Sequence, residues 1–167
     1  MYYATIAEFK KMLLNLDGCM AKAAAYADHK KFDVNQLVEA RLAPDMYPLA
    51  RQIQSTCDAA KFCASHLSGK IAPKHEDNEK TWSELRERIK KAVTYLDGFK
   101  ADDFKLAATM KVSPNWAKGQ WVIGEEFFTD ISVPNFYFHL TMAYAILRHS
   151  GVDIGKSDYL GTINLQK

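Results

Sequence analysis

The sequence predicts an all-α protein, a four-helix bundle with long connections and a short β-hairpin between helices 3 and 4. Three observations predict it. Four long segments carry apolar residues at three- and four-residue steps, the period of a helix with a buried face. Glycine or proline punctuates the chain where most of these segments begin or end. The 167 residues, 48% of them apolar and 25% charged, suit one domain spanning residues 1–167 with a full core.

Helix 1 is expected over residues 3–28, with Ile6, Phe9, Leu13, Leu16, Met20, Ala23 and Ala27 facing inward. Tyr2, Phe9, Met12, Cys19 and Tyr26 make a second stripe beside the first, so this helix should touch more than one neighbour. Gly18 interrupts the pattern without ending it. Residues 29–46 read as a connection with a short helical turn at 35–40. Pro44 and Pro48 bracket the entry to helix 2, because proline is tolerated in a first helical turn. Helix 2 is expected over about 46–68 on a stripe of Met46, Leu49, Ile53, Cys57, Ala60, Ala64 and Leu67, and Gly69 supplies its stop.

A polar loop, 70–80, leads to helix 3 at about 79–97, with Trp82, Leu85, Ile89, Ala92, Val93 and Leu96 inward. Thr81 and Glu84 have the spacing of a capping box, and Gly98 ends the helix. Residues 99–130 break the helical period. Pro114, Gly119 and Gly124 punctuate the short runs "FKLAATMKV" and "GQWVIG", which read as two strands joined around "SPNWAKG". Helix 4 is expected over about 131–150, and 151–167 as an irregular tail with three glycines.

The bulk chemistry excludes several classes. Net charge is only +2 with both signs interspersed, so no nucleic-acid footprint is expected. The densest basic patch, "RERIKK" (86–91), reads as a solvated helix face. "MYYATIAEFKKMLL" does not read as a signal peptide, and no window of 18 uncharged apolar residues suggests a membrane span. Three cysteines, Cys19, Cys57 and Cys63, match neither a disulfide framework nor a zinc motif, so they are expected as small buried groups in a reducing, cytoplasmic setting. There is no nucleophile elbow, phosphate loop or dinucleotide fingerprint. The Gly-Lys-Ser in "GVDIGKSDYLG" lacks the upstream glycine and the preceding strand.

One histidine stands apart. His139 lies mid-way along the apolar "PNFYFHLTMAYAILRHSG" (134–151), whereas His29, His66, His75 and His149 sit in connections or near helix ends. It can be a ligand, a base, or a hydrogen-bonded core residue. Asn135, His139, Met142 and Ile146 share one side of helix 4, and Asp45, Leu49, Gln52 and Thr56 make a stripe on helix 2. Two such strips from facing helices are how bundles build cofactor sites. No His-x-x-x-His, Glu-x-x-His or Cys-x-x-Cys accompanies His139. Gln52 is the hydrogen-bond partner expected for it.

The segments "PNFYFHLTMAYAILRHSGVDIGKSDYLG" (134–161), "LAPDMYPLARQI" (42–53) and "DNEKTWSELRERI" (77–89) resemble a bacterial branch of unknown function in the DinB-like (DinB/YfiT) superfamily. The resemblance covers nearly the whole chain. It implies a four-helix bundle, usually dimeric. In many members of the superfamily three histidines hold a divalent metal such as nickel or zinc, one from helix 2 and two from a His-x-x-x-His on helix 4. Some members are metal-dependent thiol transferases, and others are hydrolases or isomerases. At the matching positions this chain has Gln52, and His139 with Asn135 and Ala143 four residues to either side. An amide oxygen is a poor transition-metal ligand beside imidazole.

Two readings follow. In the first, the protein is a dimeric, cytoplasmic small-molecule-binding or structural relative that has lost the metal site, with Asp45, Gln52, Asn135, His139 and Tyr144 as a polar pocket and no cofactor. In the second, it is a transferase or hydrolase in which His139 is a base or a nickel or zinc ligand. The homodimer is also expected because Phe136, Leu140, Ala143 and Leu147 occupy sides of helix 4 that one bundle core cannot all absorb.

Overall fold

The computed structural model describes residues 1–166. Helix α1 spans Tyr2–Lys30, α2 Leu49–Ser68 and α3 Trp82–Asp97. Strands β1, Lys111–Val112, and β2, Val122–Ile123, pair antiparallel as a two-stranded hairpin. A helical path then runs without a break through the single turn α4, Gly124–Glu126, a π-helical segment Phe127–Ser132, and α5, Val133–His149. The short α6, Lys156–Leu160, closes the fold. The four long helices and the small hairpin form an all-α fold.

Every residue expected inward on helix 1, and every one on helix 2 from Leu49 onward, is buried. Three boundaries differ from the sequence reading. Helix 2 starts at Leu49 rather than 46, because Pro48 is its N-cap and Met46 stays in the preceding turn. Helix 3 starts at Trp82, where Thr81 accepts from the Glu84 N–H and Glu84 reaches back to the Thr81 N–H, the anticipated capping box. The helical path into helix 4 starts at 124, not 131. Pro134 has no N–H to give and its ring crowds the carbonyl four residues back, so the turn ahead of it widens to π spacing instead of ending the helix.

The C-terminal segment is irregular except for α6, which is held to α1. Asp158 accepts from the Gly155 N–H at 2.9 Å and pairs with Lys22 of α1 at 2.6 Å, while Asn15 donates to the Tyr159 carbonyl at 3.0 Å. Tyr159 also meets Tyr144 edge-on, with ring centroids 5.5 Å apart. This strap covers the second stripe of α1 and a flank of α5. The apolar sides of α5 are covered mainly by α2 and α1. Phe136, Leu140, Ala143 and Leu147 are all buried within one chain, Phe136 stacking on Phe9 at 3.9 Å. These four residues therefore give no reason for a dimer.

Nor is "RERIKK" simply a solvated face. Arg86 grips Asp17 of α1 through two hydrogen bonds of 2.6 and 2.8 Å. Arg88 is 1% exposed and reaches Asp58 at 2.8 Å, Asp77 at 3.1 Å and Glu79 at 3.1 Å. Lys61, also buried, pairs with Asp58 at 2.8 Å, and Arg51 pairs with Asp77. Three cations and three carboxylates thus close on one another between α2, α3 and the 70–80 loop. No helix among the described residues is long and apolar enough to cross a membrane.

Candidate functional site

An open groove of about 810 Å³ runs between two helices. Its floor is a stripe of α2: Arg51, Ser55, Asp58, Phe62, His66 and Gly69 recur at three- and four-residue steps, the spacing of one helix face. Its wall is a second stripe, Phe127, Ile131, Asn135 and His139, four residues apart through the π segment and α5. At about 1.5 Å per residue the floor extends for roughly 27 Å. His139 and Arg51 lie at one end. At the other, the 69–72 turn and the hairpin, with Met110, Lys111 and Trp116, shape the opening.

His139 is half-buried rather than deeply buried, and it belongs to the groove wall. Its Nδ1 lies 2.8 Å from Oε1 of Gln52, whose own side chain is 1% exposed. The Gln52 Nε2 donates to the Tyr47 carbonyl at 3.4 Å, which turns the amide oxygen towards the imidazole. An acceptor at that position holds the proton on Nδ1 and leaves the lone pair on Nε2. Burial, and then the charge of Arg51, push the His139 pKa below its ordinary value, so the ring is neutral near pH 7. The arrangement can accept a hydrogen bond or a proton at Nε2.

The five expected pocket residues do not all converge. Gln52, Asn135 and His139 come together, with Gln52 behind His139 and Asn135 exposed one turn away. Asp45 is exposed in the turn before α2 and does not line the groove, because helix 2 begins four residues later. Tyr144 is about 140° around α5 from His139. It lies against the strap, donating to the Ile154 carbonyl at 3.4 Å and closing a small crevice with Cys19 and Tyr159.

Most of the groove escaped the sequence reading. His66 was placed only near a helix end, yet it lines the floor, meets Phe127 edge-on at 5.3 Å and has its pKa lowered by burial. The signal was present in the Arg51-to-Gly69 stripe, which repeats at helical spacing but mixes polar and apolar side chains. The thiols are small buried groups, as expected: burial pushes Cys19 up to about 11 and Cys57 and Cys63 up to about 12.

The donor set does not fit the three-imidazole metal site that the resemblance implied. The helix-2 position offers Gln52, and its amide oxygen is engaged by the same imidazole that would share the ion. Among the described residues no group of three His, Cys, Asp or Glu side chains is arranged to hold a metal.

Residues 1–160 match the family described as Domain of unknown function (DUF1993). No curated protein matches the chain. Among solved structures, a crystal structure of a DinB family member protein from Shewanella denitrificans is 46% identical, covers 99% of this chain and 94% of its own, and superposes with a TM-score of 0.94. The chain therefore belongs to the DUF1993 family and is DinB-like.

Proposed function

We propose that the protein is a DinB-like bundle that binds a small molecule in the α2–α5 groove without a three-histidine metal centre. One observation carries this reading: the groove is of ligand size, about 810 Å³, and a neutral imidazole is held at one end of it by a buried amide. Gln52 fixes the tautomer of His139, and His139 presents Nε2 as an acceptor for a hydroxyl, thiol or amine of the ligand. Asn135, one turn away, adds an amide that can donate and accept. A cytoplasmic location is part of the proposal, supported by three buried free thiols. A homodimer is retained on the resemblance alone, since Phe136, Leu140, Ala143 and Leu147 are already buried within one chain.

The same imidazole supports a second reading, a transferase or hydrolase in which Nε2 of His139 takes a proton from the attacking group. The lowered pKa suits a base that must be unprotonated near pH 7. Elemental analysis of protein purified without a chelator separates the two. The proposal expects nickel and zinc well below one equivalent, unchanged in His139→Ala. Near-stoichiometric metal that disappears in His139→Ala overturns it in favour of a metalloenzyme.

A further inference from the structure

The end of the groove remote from His139 carries features that the His139 reading does not use. Phe62, Ile71 and Trp116 are among the exposed large apolar residues of the chain, Trp116 at 68% and Ile71 at 92%, and all three line this groove. Soluble proteins seldom gather such side chains in one concave place without an occupant. Trp116, Phe62 and Phe127 place three aromatic rings in the groove lining, the side-chain type that packs against a planar ring.

The charged side chains that line the groove as a whole are mostly cationic. Arg51, Lys70 and Lys111 line the groove as cations, against a single carboxylate, Asp58. Asp58 is already shared by Arg88 and Lys61, each at 2.8 Å. Lys70 pairs with Asp103 at 2.6 Å. Among the described residues Lys111 has no carboxylate within ion-pair distance, and its ammonium lies 4.5 Å from the centre of the Trp121 ring. A cation without a carboxylate partner and the exposed Trp116 and Phe62 line the same groove, a combination that suits a ligand bringing both an anionic group and a ring.

We infer that the ligand is an aromatic monoanion, a carboxylate or its chemical equivalent, whose acidic group is received by Lys111 beside Trp116 and whose body extends along α2 towards His139. This inference rests on the groove being the ligand site. The anion is held by a mobile ammonium and selected by the absence of any free carboxylate along the floor. The ring is held by Trp116 and Phe62.

Three matched probes test it by calorimetric titration: 2-naphthoate, the neutral 2-naphthamide, and the cationic 2-naphthylmethylammonium. The expected result is that naphthoate binds on the order of tenfold tighter than the amide, with the ammonium weakest, because charge-assisted hydrogen bonds exceed neutral ones. Lys111→Gln should bring naphthoate down to the affinity of the amide and leave the amide unchanged, while Trp116→Ala weakens both; circular dichroism of each variant checks the fold. Equal affinity for naphthoate and amide, with both weakened by Trp116→Ala, overturns the anion preference and leaves the groove as a ligand site. Preference for the ammonium overturns it likewise. No binding of any of the three overturns both the inference and the reading beneath it.

Discussion

His139→Ala is the perturbation that asks most of this structure. In the wild type the Nδ1–H of His139 satisfies Oε1 of Gln52 at 2.8 Å, and Gln52 is 1% exposed. The truncation leaves that oxygen buried and unpaired, at a cost of about 1–3 kcal/mol. The ring itself is half-buried, so its lost contact adds at most about 1 kcal/mol. The total is roughly 1–4 kcal/mol, a fall in Tm of about 2–16 °C for a chain of this size. The loss should also depend on pH. Burial and Arg51 hold the folded imidazole below its ordinary pKa, so the unfolded chain takes up this proton first as pH falls through about 6.5. Wild-type stability therefore declines below that pH, with a slope of at most about 1.4 kcal/mol per pH unit, and the variant lacks that decline. Urea titrations of both proteins between pH 5 and 8 should show the gap widest above pH 7 and narrowing towards pH 5. A loss below about 0.5 kcal/mol at pH 7.5, or a gap that stays constant with pH, would refute the Gln52–His139 pairing.

Arg88→Met should cost about 3 kcal/mol, the low end for breaking a buried ion pair, because Asp58, Asp77 and Glu79 keep Lys61, Arg51 and Gln54 as partners; a urea midpoint within error of wild type would show that the network contributes nothing. Gly124→Ala drives a Cβ into the backbone carbonyl of Ala107, where no side chain can yield, so a loss of about 3 kcal/mol or more is expected in thermal melts and an unchanged Tm would contradict the close approach. With burial raising all three thiols to about 11 or 12, a disulfide exchange reagent at pH 8 should label no cysteine in the folded protein and three in denaturant. Rapid labelling of the native chain would be the contrary result.

Helix existence, the capping box at Thr81, the hairpin and the apolar stripes were legible in the sequence because each is a local matter. Apolar side chains at three- and four-residue steps need only one neighbour to make a helix stable, and Thr81 with Glu84 closes its hydrogen bonds within one turn. The Gln52–His139 pairing was legible too, because both residues stand out as polar groups near the buried faces of facing helices. What the sequence left open was decided by what each face met. Helix α5 reads as needing a partner chain, but α2 and α1 pack on two of its sides and leave the four residues that motivated a dimer buried, while the α6 strap is tied to α1 through Asp158 and Tyr159. "RERIKK" reads as solvated, but the 70–80 loop brings Asp77 and Glu79 onto Arg88 and permits its burial. Asp45 and Tyr144 share the sequence neighbourhood of Gln52 and His139 yet miss the groove, one by four residues of helix start and the other by a rotation about the α5 axis. The groove itself joins the Arg51-to-Gly69 stripe, the Phe127-to-His139 stripe and the hairpin, three segments far apart along the chain. A cavity is the space between surfaces, and periodicity along one segment carries no information about which second surface will face it.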